Sequence, residues 1–547
     1  MLHKTHPVKT RSCHCDLLIR EGIVYDGLGG PGQVLDIAVH GDSLQEIGPD
    51  LSHYRAGETI SAADLAVAPG FIDPHSHTDI ELLVNPFAES KIRQGVTTEI
   101  SGNCGFSLFP LNSTAFLKKS LQLREQFGIE ISWKGIRGFL RRLEHSGIAV
   151  NYATLVGHGA LRSIVGACID RPVSPVELAR MKTILGKSLE AGALGLSTGL
   201  IYAPGSYARE QEIIELCRVV AAAGGIYSTH MRDEGDFLIE AVEEAIRIAS
   251  SSRVSIQISH LKLSYPRNWP KVHAVLSRIS EVNAQGMEIL ADRYPYTATS
   301  TFLSVFFPPS LKEGSTKDFL DRLRDPKLEP QIREYLRKQE EKIGSWDTIR
   351  ICSVLTRKNR HLPGKSILDA ARESGKEIFE FIRDTLIEEE DQVAMINFSL
   401  NEETFKRIIE HPLVVIGSDG WALAPYGKLG TNKPHPRSYG TFPRMLGRYV
   451  REEKLMSTGR AIEKMTSLTA RKFGLDRRGE IRRGYFADLV LFDPKSIIDL
   501  STWEDPHHYP AGIEYVIVNG RVVIRRGEHT GILPGRVLRR RDRYYAP

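Results

Sequence analysis

The chain has 547 residues, 72 lysines and arginines against 67 aspartates and glutamates, a formal charge of +5, and a composition 41% hydrophobic and 25% charged. Such a balance belongs to a globular protein with a large buried core. Six cysteines at this length, behind an opening MLHKTHPVKTRSCHC that is not cationic-then-apolar, argue against a disulfide-built secreted protein. Apolar stretches such as VVAAAGGI fall short of the ~20 residues of a membrane span, and +5 is too little charge at this size to imply a nucleic-acid partner. The expectation is a cytoplasmic protein with neither membrane nor nucleic acid as partner, whose basic cluster Arg536 to Arg543 is a solvated tail.

In chain order, residues 16–24 (DLLIREGIV), 35–40 (LDIAVH) and 44–47 (LQEI) are short strand-like runs separated by turn residues. At the far end stand 487–493 (ADLVLFD) and the pair 515–518 and 521–525 around Asn519-Gly520, two residues that tolerate the positive φ of a hairpin turn. Both ends are β-rich, which predicts one small β-sandwich made from residues 1–66 and 475–547. Between them, eight apolar runs (66–72, 96–100, 150–156, 193–196, 225–229, 254–259, 287–291 and 413–417) alternate with segments of helical period such as 210–223 and 236–249. Eight such repeats predict an α/β architecture, a (β/α)8 TIM-like barrel over 67–474 whose strands are buried on both faces. The gap between the seventh and eighth runs exceeds one crossover, and its charged, helically spaced stretch 311–390 is read as an inserted helical subdomain.

Active sites of such barrels form where the strands end. The first run leads into Asp73-Pro74-His75-Ser76-His77, the second into Asn103-Cys104, the third into Gly157-His158-Gly159, the fifth into His230 and the sixth into His260-Leu261-Lys262. The seventh leads into Asp292-Arg293-Tyr294 and the eighth into Ser418-Asp419-Gly420. Period two puts His75 and His77 on one side of an extended segment. Singly, each of these histidines has an ordinary structural reading, as does Cys104, a small buried hydrophobe. Four histidines and a cysteine at one barrel mouth, however, exceed the three ligands of a catalytic zinc. Asp419, alone an Asx turn, becomes there a candidate general base toward activated water. His158 stands evenly between a site residue and a packed one, and Cys13-His14-Cys15 lacks partners at zinc-finger spacing.

The stretches APGFIDPHSHTD, VTTEISGNCGFSLFPL, GALGLSTGLIYAPGSYA, STHMRDEGD, QISHLK, DRYPYTATST and HPRSYGTFPR closely resemble the N-acyl-D-amino-acid deacylases (D-aminoacylases) of the amidohydrolase superfamily, from about residue 16 to 535 and least in 311–390. The resemblance implies a tightly held zinc on Cys104, His230 and His260, a weaker second site at His75 and His77, and a catalytic Asp419. It also implies contacts to the substrate's α-carboxylate from Lys262, Tyr294, Ser300 and Arg437, while Tyr202 in GLIYAPG has two readings, lining the substrate pocket or packing beneath the loop. A guanidinium gripping a carboxylate bidentately beside an ammonium is sound chemistry for orienting an anion. The implied reaction is zinc-dependent hydrolysis of a small N-acyl-D-amino acid. Two alternatives stand beside it. A cyclic amidohydrolase of hydantoinase or dihydropyrimidinase type is disfavoured because the fourth strand ends in LSTG, with no lysine to bridge two metals. The other is a non-catalytic binding module on the same fold. Oligomeric state, acyl group and D-side chain stay open, with a lean toward apolar side chains because no further basic residue is assigned to the pocket.

Overall fold

The computed structural model describes residues 13–540, apart from the side chains at 113–116 and 118. The eight apolar runs all contribute parallel strands. Phe71–Asp73, Val96–Ser101 and Asn151–Thr154 form one three-stranded sheet. Val156–Gly157, Gly195–Gly199, Ile226–His230, Ser255–Ile258, Ile289–Arg293 and Val414–Ile416 follow in that order in a six-stranded sheet. Only Leu155 separates the two pieces of the third run. On the opposite side, the first and eighth runs meet at a parallel bridge between Ser76 and Gly420, with the Asp419 N–H donating to His75 O at 2.7 Å and the His77 N–H to Gly420 O at 2.9 Å. The backbone hydrogen bonds thus form two parallel sheets, joined by that bridge and by the Leu194 N–H donating to Thr154 O at 2.9 Å, not one continuous ladder.

Strands such as Ile226–His230 and Gly195–Gly199 are buried at every residue, as sheets covered on both faces require. The covering helices are amphipathic: Glu210–Ala222 buries Ile213, Leu216, Cys217 and Val220, and Leu238–Ser252 buries Val242, Ala245, Ile246 and Ala249.

The structure modifies the expected strand bounds, terminal domain and insertion. The run 66–72 is two strands in two sheets: Ala66–Pro69 pairs antiparallel with Leu489–Phe492 in the terminal sheet, and the parallel strand begins at Phe71. Gly70 allows the switch, since a Cβ there would collide with the Thr97 side chain. The strands of the two chain ends lie in one nine-stranded mixed sheet as two adjoining blocks, which meet where Leu489–Phe492 pairs with Ala66–Pro69. Its Asn519-Gly520 turn has the expected positive φ at both residues, 48° and 77°. The insertion, expected to be helical, contains Thr316–Arg324, Glu329–Ile343, Ile367–Ser374 and Ile378–Glu388. It also holds the strand Ile349–Ser353, which pairs with Ala394–Asn397, itself paired with Thr299–Phe302.

The basic C-terminal cluster is not a free tail as far as residue 540. Arg536 bonds Asp42 at 2.8 Å, Arg539 pairs with Glu144 at 2.7 Å, and the Leu538 N–H donates to Tyr152 O at 2.7 Å. Arg541 to Arg543 lie outside the described residues. Among the described residues, no helix is long and apolar enough to cross a membrane.

Candidate metal centre and active site

Cys104, His260 and Asp419 follow their strands in left-handed backbone, with φ of 53°, 37° and 52°. For non-glycine residues this costs about 1–3 kcal/mol each and persists only where the surroundings enforce it. Neighbouring strands supply the enforcement. The His260 N–H donates to Asp292 Oδ1 at 2.8 Å, the Gly105 N–H to Ser197 Oγ at 3.0 Å, and the Asp419 N–H to His75 O at 2.7 Å.

These backbone turns aim side chains at one point. Cys104 Sγ lies 3.3 Å from His75 Nε2 and 3.4 Å from His260 Nε2. Two overlapping donor groups result, Cys104 with His230 and His260, and Cys104 with His75, His77 and Asp419, each with its donor atoms within 4.8 Å of one another. Asp419 Oδ1 sits 3.0 Å from His77 Nε2 and 3.4 Å from His75 Nε2, while Oδ2 sits 2.6 Å from Arg437 Nη1.

Electrostatics follows from this crowding. Burial opposes the charge on Cys104, but the imidazoles of His75 and His260 outweigh it and draw the thiol well below its ordinary range. Burial likewise opposes the Asp419 carboxylate, and Arg437, then His260 and His75, outweigh it, holding the group well below the usual carboxylate range. Burial pushes His230 down, toward the neutral imidazole that can donate a lone pair. His77 is pushed up to about 9: burial pulls it down, but hydrogen bonds to Asp419 and Cys104 prevail.

The remaining sequence-predicted residues divide. Arg437 is 1% exposed, lies 4.8 Å over the Tyr294 ring, and donates from Nη2 to Ser300 O at 3.4 Å. Ser300 thus meets the guanidinium through its carbonyl, while its hydroxyl faces Cys352 Sγ at 3.9 Å. The Tyr294 hydroxyl is buried without a hydrogen-bond partner. Tyr202 packs edge-on to His230 at 5.0 Å and shares a hydrogen bond with Thr301 at 2.8 Å. Lys262 is engaged rather than open, its Nζ 2.5 Å from Glu234 Oε1 and 2.7 Å from His260 Nδ1. His158 lies apart from the cluster, bonded to Glu212 at 2.8 Å in a buried network with Arg162.

Two carboxylates carry more than the sequence reading assigned to them. Asp292 lies 3.1 Å from His75 Nδ1. Glu234 lies 3.1 Å from His260 Nδ1 and 3.5 Å from His230 Nε2. Carboxylates on the far nitrogen of a ligating histidine fix its ring and raise its basicity. Asp292 was visible as a strand-end acid; Glu234, in a loop four residues after His230, had no strand position to mark it.

The donor set fits a zinc-like ion. Both ring nitrogens of His230 are buried with no hydrogen-bond partner, Cys104 is drawn toward thiolate, and a soft sulfur with two imidazoles is a combination zinc accepts.

The sequence matches the amidohydrolase family over residues 58–333 and 371–524, so the protein belongs to the amidohydrolases; the unmatched stretch falls in the insertion. Across 96% of its length the chain is 37% identical to the D-aminoacylase of Alcaligenes xylosoxydans xylosoxydans, covering 98% of that protein. It is 36% identical to the N-acyl-D-aspartate deacylase and 34% identical to the N-acyl-D-glutamate deacylase of the same organism, over 96% of this chain and 95% and 96% of theirs. Its fold superposes with a TM-score of 0.82, at 32% identity over 96% of this chain and 100% of the other, on the N-acyl-D-glutamate deacylase of Bordetella bronchiseptica, solved with zinc and a phosphonate mimic of the tetrahedral intermediate. Within the amidohydrolases, the chain is a metal-dependent member of the D-aminoacylase (N-acyl-D-amino-acid deacylase) family.

Proposed function

We propose that the protein hydrolyses N-acyl-D-amino acids to a carboxylate and a free D-amino acid, in a site at the mouth of one closed (β/α)8 barrel formed by its two parallel sheets. The observation that carries this reading is the juxtaposition of Asp419 with both a cluster of nitrogen and sulfur donors and a buried guanidinium. Cys104, His230 and His260 would hold zinc tightly, and His75 and His77 would line a weaker second site. Bound there, zinc supplies Lewis acidity to the scissile carbonyl and acidifies water beside it.

The chain's own residues do the rest. Arg437 binds the α-carboxylate through its guanidinium, and the unpartnered Tyr294 hydroxyl donates to the same anion. Asp419 accepts the proton of the attacking water at Oδ1 and returns it to the departing amine nitrogen. Asp292 and Glu234 hold the rings of His75 and His260 in orientation. Lys262, held by Glu234, adds positive potential toward the substrate anion.

Beside His230, Tyr202 borders a cavity of about 310 Å³ whose lining sets Phe106, Phe302, Val305 and Phe319 against Ser163, Ser304, Thr316 and Asp391. The aromatic part of that lining supports an apolar variable group on the substrate. Lys312 also borders the cavity, so a basic residue stands closer to it than the sequence reading allowed; its amine is committed to Ser304 O at 3.1 Å.

The test is a panel of N-acetyl-D- and N-acetyl-L-amino acids assayed in parallel with zinc quantified. Turnover confined to D-substrates, highest for apolar side chains, supports the reading. Turnover of uncharged hydantoins with two metals per chain replaces it with the cyclic-amide reaction, and bound zinc without turnover replaces it with a binding module.

A further inference from the structure

Arg437 opens the helix Arg437–Arg444 directly after Pro436, and no side chain of the capping residue closes that helix start. The first N–H groups of a helix have no partner within it, and here they are buried. His435, itself 0% exposed, supplies one: the Arg437 N–H donates to His435 Nδ1 at 3.0 Å. The other ring nitrogen faces Ala298 O at 3.1 Å. A ring that accepts at Nδ1 and donates from Nε2 is neutral and in a single tautomer. Burial, reinforced by Arg437, presses His435 well below its ordinary range, in agreement with that form.

The two partners of this ring lie on different elements. Ala298 immediately precedes the strand Thr299–Phe302, which presents Ser300 O to Arg437 Nη2 at 3.4 Å. The ring therefore ties together the two segments that meet at the guanidinium. Three aromatic side chains fix it by their edges, Tyr294 at 5.8 Å, Tyr296 at 5.3 Å and Trp503 at 4.8 Å. The segment that carries Trp503 also carries Asp499, which accepts from Tyr296 Oη at 3.2 Å and Arg444 Nη1 at 2.9 Å.

From this juxtaposition we infer that His435 is a positioning residue for the substrate carboxylate: it pins the Arg437 backbone to the strand opposite and thereby sets the direction of the guanidinium. The inference rests on the reading of Arg437 as the carboxylate clamp. His435 touches neither substrate nor the metal ligands, so its effect appears in the binding of charged substrates and not in zinc content.

The experiment measures kcat and KM of the zinc-loaded enzyme for an N-acetyl-D-amino acid and for its uncharged carboxamide. His435→Phe keeps the volume and loses both hydrogen bonds. His435→Gln can reach Ala298 O but abandons the Arg437 N–H, and carries the same test if the phenylalanine variant does not fold. His435→Asn keeps an acceptor at the Nδ1 position. Expected are a KM for the carboxylate substrate raised about tenfold in the Phe and Gln variants with kcat changed far less, a smaller rise in the Asn variant, which keeps the Arg437 N–H bond and loses the tie to Ala298 O, full zinc, and no comparable change for the carboxamide. In the His435→Gln/Arg437→Ala double variant, the His435 change adds nothing to the loss from Arg437→Ala alone. Equal losses on both substrates, a loss confined to kcat, or additive losses in the double variant overturn the assignment. An impaired Arg437→Ala beside a normal His435→Gln overturns it while leaving the clamp intact, whereas an Arg437→Ala enzyme with unchanged KM overturns the clamp and this inference together.

Discussion

Two buried polar clusters stand side by side at the meeting of the first and eighth strands and are built on opposite terms. In one, Lys91 is 0% exposed and its ammonium meets Asp73 at 2.6 Å, Glu99 at 3.0 Å and Ser418 Oγ at 2.7 Å, one acceptor for each proton. Ser76 and Thr78 add hydrogen bonds to Glu99 Oε1 at 2.8 and 3.0 Å, while Glu99 Oε2 is buried without a partner. In the other, both nitrogens of His230, the Tyr294 hydroxyl and Arg437 Nε are buried without hydrogen-bond partners. A buried polar group with no partner costs roughly 1–3 kcal/mol, so a group of them in one place marks where a ligand belongs, and a cluster whose cation has every proton accepted, saturated in that sense, marks scaffold. Ser418 joins the two: it bonds Lys91 through its side chain and is followed in the chain by Asp419.

The contrast predicts that damage to the unsatisfied cluster removes function first and damage to the saturated one removes stability first. The largest effect belongs to Cys104→Ala, which should lose zinc and with it nearly all turnover, read by metal analysis and activity on one preparation. Full zinc retention would move the primary site to His75 and His77. Next is Asp419→Asn, which should keep its zinc while kcat falls about 10²–10⁴-fold, the usual worth of a positioned general base. Unchanged turnover removes Asp419 from proton transfer.

Lys91→Met attacks the saturated cluster. It leaves the Asp73 and Glu99 carboxylates buried with no cation, a change that typically costs about 3–5 kcal/mol, and should appear as a large drop in thermal midpoint while the folded fraction still binds zinc. A variant that melts like the wild type but loses zinc would dissolve the distinction between the clusters and make Lys91 part of the metal site.

The saturated cluster was invisible in the sequence and the unsatisfied one was largely legible, for a physical reason. Metal-ligating types at strand ends announce themselves, because His75, His77, Cys104, His230, His260 and Asp419 each follow an apolar run and strand ends converge. The eight parallel strands were legible for the same reason, as runs buried on both faces. Lys91, by contrast, lies in the short helix Glu89–Ile92 within an ordinary-looking ESKI, and only the fold shows that its amine enters the interior. Glu234 and His435 are of the same kind, loop residues whose partners are fixed by tertiary contact. The sheet switch at Gly70 was missed because AVAPGFI reads as one apolar run, and nothing local tells which sheet each half joins.

The smallest expected effect concerns Lys464, a buried cation without the carboxylates that surround Lys91. It is 0% exposed, and among the described residues its Nζ donates to the carbonyls of His411, at 2.6 Å, and Val414, at 2.7 Å. Burial, with a contribution from Arg460, pushes its ammonium down to about 7, against roughly 10.4 in an unfolded chain. Between those values the unfolded state holds the extra proton, so stability rises with pH from about 7 upward and is lowest below it, where the native state must carry a buried charge. The thermal midpoint of the wild type should therefore climb between about pH 6.5 and 8.5, and Lys464→Met should flatten that climb. Because Val414 begins the eighth strand, which leads to Asp419, the same titration run with zinc bound tests whether tightening at this end reaches the site. Identical slopes in the Lys464→Met variant and the wild type would show that the amine keeps its proton in the native state across this range, its charge compensated by its surroundings, placing Lys464 with Lys91 among the saturated cations after all.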